Sequence, residues 1–271
     1  MSRSDSFTIA TWNINSVRLR RGLVESFLTT HAPDVLCLQE TKCLNDQFPA
    51  KAFARLGYEH VALNGQKAYH GVATLSRIPF ATVDRRDFCQ MGDSRHVETT
   101  VDVAGTRLRI HNFYVPAGGD EPDPAINPKF AHKLQFLDEM RQITTGTGEH
   151  DAALLVGDLN VAPLENDVWS HRQLLRVVSH TPVETGTLED MRTGAGWSDL
   201  MRLRVPPSEK LFTWWSYRAR DWAASNRGRR LDHIWGSHAL EGALADMSVL
   251  TEARGWEKPS DHVPVVARFA L

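Results

Sequence analysis

The chain has 271 residues, 42% hydrophobic and 24% charged, with a formal net charge of −2. That balance predicts a soluble globular protein with a sizeable core, and it excludes a uniformly basic nucleic-acid coat while leaving room for a local basic patch. No apolar run approaches the ~20 residues of a membrane-spanning helix. The N-terminus lacks the apolar core of a signal peptide, and Cys37, Cys43 and Cys89 lack paired metal-ligand spacing, so a cytoplasmic protein with reduced thiols is expected. No linker, repeat or low-complexity tract divides the sequence, and residues 1–271 read as one domain.

In chain order, FTIATW is a strand-like run that ends in Asn13. VRLRRGLVESFLTTH reads as a helix with Leu23, Val24, Phe27 and Leu28 on one face and Pro33 as its stop. DVLCLQ is continuously apolar, as in a strand covered on both faces, and it ends in Glu40. Val97, Thr99, Val101 and Val103 alternate up to a turn at Ala104-Gly105, then Leu108 and Ile110 resume; this predicts a hairpin with one solvated face, running on to Tyr114. The proline-punctuated acidic stretch PAGGDEPDPAINP reads as a surface loop. A helix follows, capped by Asn127, opened by Pro128 and closed at Gly146, with Phe130, Leu134, Leu137 and Met140 inward. AALLVG is a second doubly covered strand, after which Gly157 allows a sharp turn that projects Asp158 and Asn160. RRLDHIW and SDHVPVVARF add Asp232, Asp261 and His262. Packed sheets with helices outside satisfy both kinds of strand, so the expected fold is a mixed α/β sandwich.

Apolar strands that end in carboxylates, carboxamides, a phenol and an imidazole are unusual, because such groups are costly to bury unpaired. Convergence around a hard cation in one cleft accounts for them economically. Glu40 is the best candidate carboxylate ligand, with Asn13 beside it as an amide ligand or orienter. Asp158 and Asn160 suit a division of labour: one accepts a proton or orients water, the other fixes phosphate. The plainer alternative is an Asx turn. Successive strand residues face opposite ways, so Asp232 rather than Asp261 is the expected partner of His262, which leaves Asp261 to face metal or solvent. Tyr114 can donate to a phosphate oxygen. Together these are the parts of metal-assisted phosphate-ester hydrolysis.

WNINSVR, LQETK, GVATLS, NFYVP, GDLN, RRLDHI and KPSDHVPV, in this order, resemble the exonuclease III family of abasic-site endonucleases, within the DNase I-like superfamily. The likeness runs from about Phe7 to Phe269. It implies a four-layered α/β sandwich of two packed mixed β-sheets flanked by helices. It further implies a Mg²⁺-dependent DNA-repair nuclease, with Mn²⁺ as an alternative ion, acting as a monomer on double-stranded DNA at abasic sites or 3′ ends. By this likeness Glu40 is the principal metal ligand, with Asn13 and Asp261 near the ion. Asp158 positions or deprotonates the attacking water, Asn160 orients the phosphate, Tyr114 contacts it, and Asp232 with His262 stabilises the pentavalent phosphate. Either Asp158 or His262 can be the base at this level.

TWWSYRARDWAASNRGRRLD sets Arg218, Arg220, Arg227, Arg229 and Arg230 among Trp214, Trp215, Tyr217 and Trp222. Arginines interleaved with stacking rings fit a nucleic-acid groove; the plainer alternative is core tryptophans beneath a solvated face. The likeness makes Trp214 and Leu231 walls of a pocket for a flipped-out sugar, with Arg218, Arg229 and Arg230 binding substrate. Some relatives carry a bulky apolar residue where Arg229 stands, which implies a tighter or more polar pocket here. Hydrolysis of inositol phosphates or lipids, and inactive DNA binding, are alternatives on the same fold. The arginine–tryptophan stretch argues against the first, and the complete catalytic set against the second.

Overall fold

The computed structural model describes residues 6–146 and 152–271. Its strands form two six-stranded mixed sheets and a two-stranded antiparallel one, Trp214–Trp215 with Gly228–Arg229. The first runs Leu244–Val249, Val265–Ala270, Ser6–Asn13, Val35–Gln39, Val72–Ser76, His60–Asn64; the second runs Phe80–Asp84, His96–Val103, Thr106–Tyr114, Ala152–Asp158, Asp232–Gly236, Ser198–Asp199. Each six-stranded sheet contains one parallel pair at its centre, Ser6–Asn13 with Val35–Gln39 and Thr106–Tyr114 with Ala152–Asp158; the other pairs are antiparallel.

The apolar runs follow from this layering. In Ala152–Asp158, Leu154 and Val156 face the other sheet, where they meet Phe7, Ile9, Val35 and Phe269. Ala153 and Leu155 face outward onto the helices Pro128–Met140 and Pro182–Gly194. On the far side, Trp12, Leu36 and Leu38 pack against Val24, Phe27 and Leu28 of the helix Arg21–His31. The result is helix, sheet, sheet, helix. Gln39 bolts the two sheets together beneath their shared end: its Nε2 donates to Thr11 Oγ1 at 2.9 Å and to Asn112 Oδ1 at 2.8 Å.

Parallel pairing decides where function sits. The carboxyl ends of parallel strands leave a crevice that neighbouring strands do not fill. Asn13 is paired with Gln39, just before Glu40, and Tyr114 is paired with Asp158, so both central pairs end at the same edge of the sandwich. Their antiparallel neighbours begin there: Asp232 pairs with Asp158, and Val265, three positions after His262, pairs with Thr11.

Four local expectations need correction. The helix capped by Asn127, whose side chain accepts from Lys129 N, ends at Met140 rather than Gly146, because the chain turns at Arg141 and sends Ile143 back into the core. Its inward face includes Lys133, while Leu134 is only half-buried. The hairpin face is solvated only near its turn, at Asp102; towards the site His96 and Thr100 are buried, the former against Phe88 and Phe113. Gly157 sits inside the strand with φ +134°, where any Cβ would collide with the Phe113 carbonyl oxygen, so close backbone approach rather than a turn demands glycine.

Candidate active site

Glu40 and Asn13 come from the first sheet, Tyr114 and Asp158 from the second, and they share hydrogen bonds. Asn13 Nδ2 donates to Glu40 Oε1 and to Asp158 Oδ2, both at 2.9 Å, and the Tyr114 hydroxyl donates to Glu40 Oε1 at 3.0 Å. Lys42 Nζ lies 2.8 Å from Glu40 Oε2. Glu40, Lys42 and Asn160 all hold left-handed backbone, with φ of 50°, 53° and 54°. Such strain in non-glycine residues clusters where surrounding structure over-determines the chain to aim a side chain. Asn160 takes the plainer arrangement that its motif allows, an Asx turn. Its backbone N–H closes that turn on Asp158 Oδ1 at 3.0 Å, while its side chain donates to Asp158 Oδ2 at 3.2 Å and to Val115 O at 2.8 Å.

His262 lies between two carboxylates. Its Nδ1 is 2.8 Å from Asp232 Oδ2 and its Nε2 is 3.6 Å from Asp158 Oδ2. Thr213 Oγ1 accepts from the backbone N–H groups of Leu231 and Asp232, so its own proton goes to Asp232 Oδ2, at 2.6 Å. Asp261 turns away from the imidazole: its Oδ2 accepts from Trp214 Nε1 at 3.0 Å and its Oδ1 from Asn15 Nδ2 at 3.1 Å.

Burial alone would keep His262 neutral, but Asp232 and Asp158 outweigh it and raise the imidazole to about 10. Burial, helped by Asp232 and Glu40 and opposed by His262, raises Asp158 to about 7. Burial also pushes Glu40 up, yet Lys42 and Asn13 bring it below the ordinary carboxylate range. Asp261 is likewise lowered, by His262 and the Trp214 bond acting against burial. Among the described residues, the carboxylates of Glu40, Asp158, Asp232 and Asp261 outnumber the cations in direct contact with them, Lys42 and His262, while Lys133 acts on Asp158 and Arg254 on Asp261 from further away. An anion excess built from oxygen donors suits a hard divalent cation. A charged imidazolium has no lone pair for a metal, so the tight group Asp158, Asp232 and His262 is satisfied internally, and Glu40, Asp158, Asp261 and Asn13 are the fitting donors. A second close group, His96, Glu98 and His111, does not form a chelate. Its ring centres are 5.4 Å apart and the facing nitrogens 3.1 Å apart, so each nitrogen points straight at the other in a hydrogen bond.

A cleft of about 1060 Å³ opens over this cluster. Glu40, Tyr114, Asp158, Asn160 and His262 form its floor; Trp214, Leu231, Arg218 and Arg229 are in its wall; Ala117, Gly119 and Asp120 of the acidic loop reach its edge. Arg230 does not join them. It is fully buried, bonded to Asp167 at 2.7 and 2.9 Å and to Asp199 at 2.7 Å, and its assignment to substrate is corrected to a structural one. Trp215 and Trp222 are also structural, packed with Phe212, Ala253 and Val263. Sequence reasoning passes over Thr213, Asn15 and Arg95. Arg95 stacks on the Tyr114 ring at 5.0 Å and is held by Asp93. Only Lys133, a lysine on an apolar helix face, carries a readable signal: its Nζ donates to Asn160 O at 2.7 Å and meets Glu184 Oε1 at 2.5 Å.

The Endonuclease/Exonuclease/phosphatase family profile matches residues 10–262. The chain is 32% identical over 270 residues to Exodeoxyribonuclease III of Haemophilus influenzae, covering 95% of this chain and 98% of that protein. Among solved structures, an AP endonuclease from Archaeoglobus fulgidus superposes with a TM-score of 0.87 at 32% identity over 98% of this chain and 100% of that one. The 3′-5′ exonuclease NExo of Neisseria meningitidis superposes with 0.86 at 32% identity, over 97% and 99%. NExo from Neisseria has also been solved as a 3′ phosphatase bound to a product DNA hairpin. Sequence, fold and site geometry agree, and the chain belongs to the Endonuclease/Exonuclease/phosphatase family, in its exodeoxyribonuclease III branch of DNA-repair nucleases.

Proposed function

We propose that this chain is a Mg²⁺-dependent hydrolase of duplex DNA that cuts the phosphodiester 5′ to abasic sites and removes terminal groups and nucleotides from 3′ ends. The observation that carries this reading is the meeting of Glu40, Tyr114, Asp158, Asn160 and His262 on the floor of a cleft whose wall carries Trp214, Arg218 and Arg229. All these groups come from one chain, which suits action as a monomer. Cys37, Cys43 and Cys89 are unpaired, which suits a reducing cytoplasm.

Asp232 and Asp158 hold His262 charged, which makes it a poor base, whereas the Asp158 carboxylate faces the cleft and can take a proton from water. This favours Asp158 as the base. The water oxygen bonds to phosphorus as the P–O3′ bond breaks, leaving a 3′-hydroxyl and a 5′-phosphate on the departing fragment. His262 Nε2, charged and fixed by Asp232, donates to a phosphate oxygen as negative charge builds; Asn160 and Tyr114, whose donors rest on Asp158, Val115 and Glu40 here, re-aim an N–H and an O–H to the phosphate when it binds. A bound Mg²⁺, held by Glu40 with Asp158, Asp261 and Asn13 at hand, would supply positive charge to the same oxygens.

The test is incubation of a duplex carrying one tetrahydrofuran abasic analogue, with Mg²⁺ and with chelator, followed by end analysis. Mg²⁺-dependent incision giving a 3′-hydroxyl 5′ to the analogue is expected. An intact duplex alongside hydrolysis of soluble inositol phosphates would overturn the reading.

A further inference from the structure

Arg229 is a largely buried cation that reaches the cleft without a carboxylate partner; among the described residues Arg20 and Arg254 also lack one, but their guanidinium groups bond backbone carbonyls or stack on Tyr217 and do not line the cleft. Arg230, its neighbour, has Asp167 and Asp199; Arg202 has Asp167; Lys133 has Glu184. Arg229 Nη1 donates only to the Val178 carbonyl at 3.0 Å and to Ser179 Oγ at 2.7 Å, its Nε is buried without an acceptor, and its guanidinium lies 5.3 Å from the centre of the Trp214 ring. Among the described residues no carboxylate pairs with it. A mostly buried guanidinium without a paired carboxylate is costly, since the nearby Glu184 is already paired with Lys133, and here it faces the cleft over the reacting groups.

Its position is fixed from two sides. The strand Gly228–Arg229 pairs with Trp214–Trp215, and Trp214 bridges in turn to the His262 backbone, so Arg229 is two strands from the catalytic imidazole. The loop that receives its hydrogen bonds is anchored by Glu184, whose carboxylate accepts from Ser179 N at 2.9 Å and Thr181 N at 3.1 Å. Glu184 is paired with Lys133, which also holds the Asn160 carbonyl. The residue that orients phosphate and the arginine in the wall therefore share one buried scaffold.

We propose that Arg229 makes this cleft selective for 3′-terminal groups that carry negative charge, a phosphate or a carboxylate, over a neutral sugar; the inference rests on the nuclease reading above. Beyond the phosphorus, a phosphoglycolate end places its carboxylate, and a 3′-phosphate its additional anionic oxygen, on the side where an internal site places the abasic sugar. An anionic group supplies the counter-charge that Arg229 lacks, whereas a neutral sugar leaves the guanidinium unpaired. Discrimination thus comes from the difference between the two complexes.

The experiment uses the full chain with Mg²⁺ and three duplexes: a nick with a 3′-phosphate, a nick with a 3′-phosphoglycolate, and an internal tetrahydrofuran site. Arg229→Leu should lose roughly ten- to a hundredfold more kcat/KM on the anionic ends than on the tetrahydrofuran site, and Arg229→Lys should recover part of that gap. A loss confined to the 3′-phosphate or to the phosphoglycolate identifies the anion read. Equal losses on all three substrates, or unchanged selectivity in Arg229→Leu, overturn the proposal. As a readout independent of turnover, free phosphoglycolate should raise the Tm of the wild type and not of Arg229→Leu. If the wild type cuts none of the duplexes, the nuclease reading fails, and this melting shift alone decides the role of Arg229.

Discussion

Arg230 and Asp232 are near neighbours in sequence, yet they belong to buried ionic clusters of opposite character. Around Arg230, two arginines meet two aspartates: Asp167 bonds Arg230 and Arg202, and Asp199 takes the remaining guanidinium edge. Burial works against ionisation there, but the opposite charges win, so Asp167 is lowered and Arg230 raised. Around Asp232 the carboxylates outnumber the cations in contact with them, and Asp158 is raised to about 7 chiefly by burial, with Asp232 and Glu40 adding to it and His262 opposing it. A balanced cluster holds the fold together. An unbalanced one has a stake in something that is not protein.

The largest expected effects break the second cluster. Asp158→Asn and Glu40→Ala should each cost at least about a thousandfold in kcat on the abasic duplex, with Tm retained within a few degrees. Near-normal turnover by either variant would remove the role assigned to it. The balanced cluster should answer in the opposite way. Asp167→Asn leaves Arg230 and Arg202 buried without their shared partner and should cost about 3–5 kcal/mol of stability by denaturant melts. Activity measured well below its Tm should stay within severalfold of wild type. A mild loss of stability would mean that the Arg230 network contributes less than its burial suggests.

A pH series sharpens the contrast. Asp158 is raised from 3.8 to about 7, so across that window the native protein holds a proton that the unfolded chain has released. Stability without metal should therefore fall as pH rises from about 4 to about 7, relative to Asp158→Asn, which cannot titrate there. Saturating Mg²⁺ should remove this slope and raise Tm in the wild type, because the ion binds only the folded state. Parallel melting curves for the two proteins in chelator would mean that Asp158 is not raised. The smallest effect belongs to the exposed rim. Arg218→Ala and Arg220→Ala should weaken DNA binding only a few-fold each, and should lower the slope of log K against log salt by up to about one unit for each phosphate that the variant no longer reaches.

How far the sequence reaches differs between these regions for a physical reason. Glu40, Tyr114, Asp158, Asp232 and His262 are legible because each interrupts an apolar strand at a place where an ordinary strand would end in a turn residue. Strand order and the parallel central pairs are not legible, since the apolar pattern of DVLCLQ or AALLVG says that both faces are covered and not by what. The Arg-Arg-Leu-Asp run is the hardest to read. Arg229, Arg230 and Leu231 differ only in which way the chain turns them, and that depends on Asp167 and Asp199, which are remote in sequence. Trp214 and Trp215 pose the same problem: both reach the cleft, but Trp214 is half-buried in its wall while Trp215 is buried in a small core. The helix Pro182–Gly194 carries a plain local signal, the Thr181–Glu184 capping box, which a reading centred on strand ends passes over.

The backbone contact between Gly157 and Phe113 reaches further than strand geometry. A methyl group at position 157 would prise apart the two strands that deliver Tyr114 and Asp158, so evolutionary drift at this inert residue is constrained as tightly as drift at the acids it serves. A deep mutational scan scored on turnover would rank Gly157 beside the reacting groups, and only a companion scan scored on folding would separate shape from chemistry there.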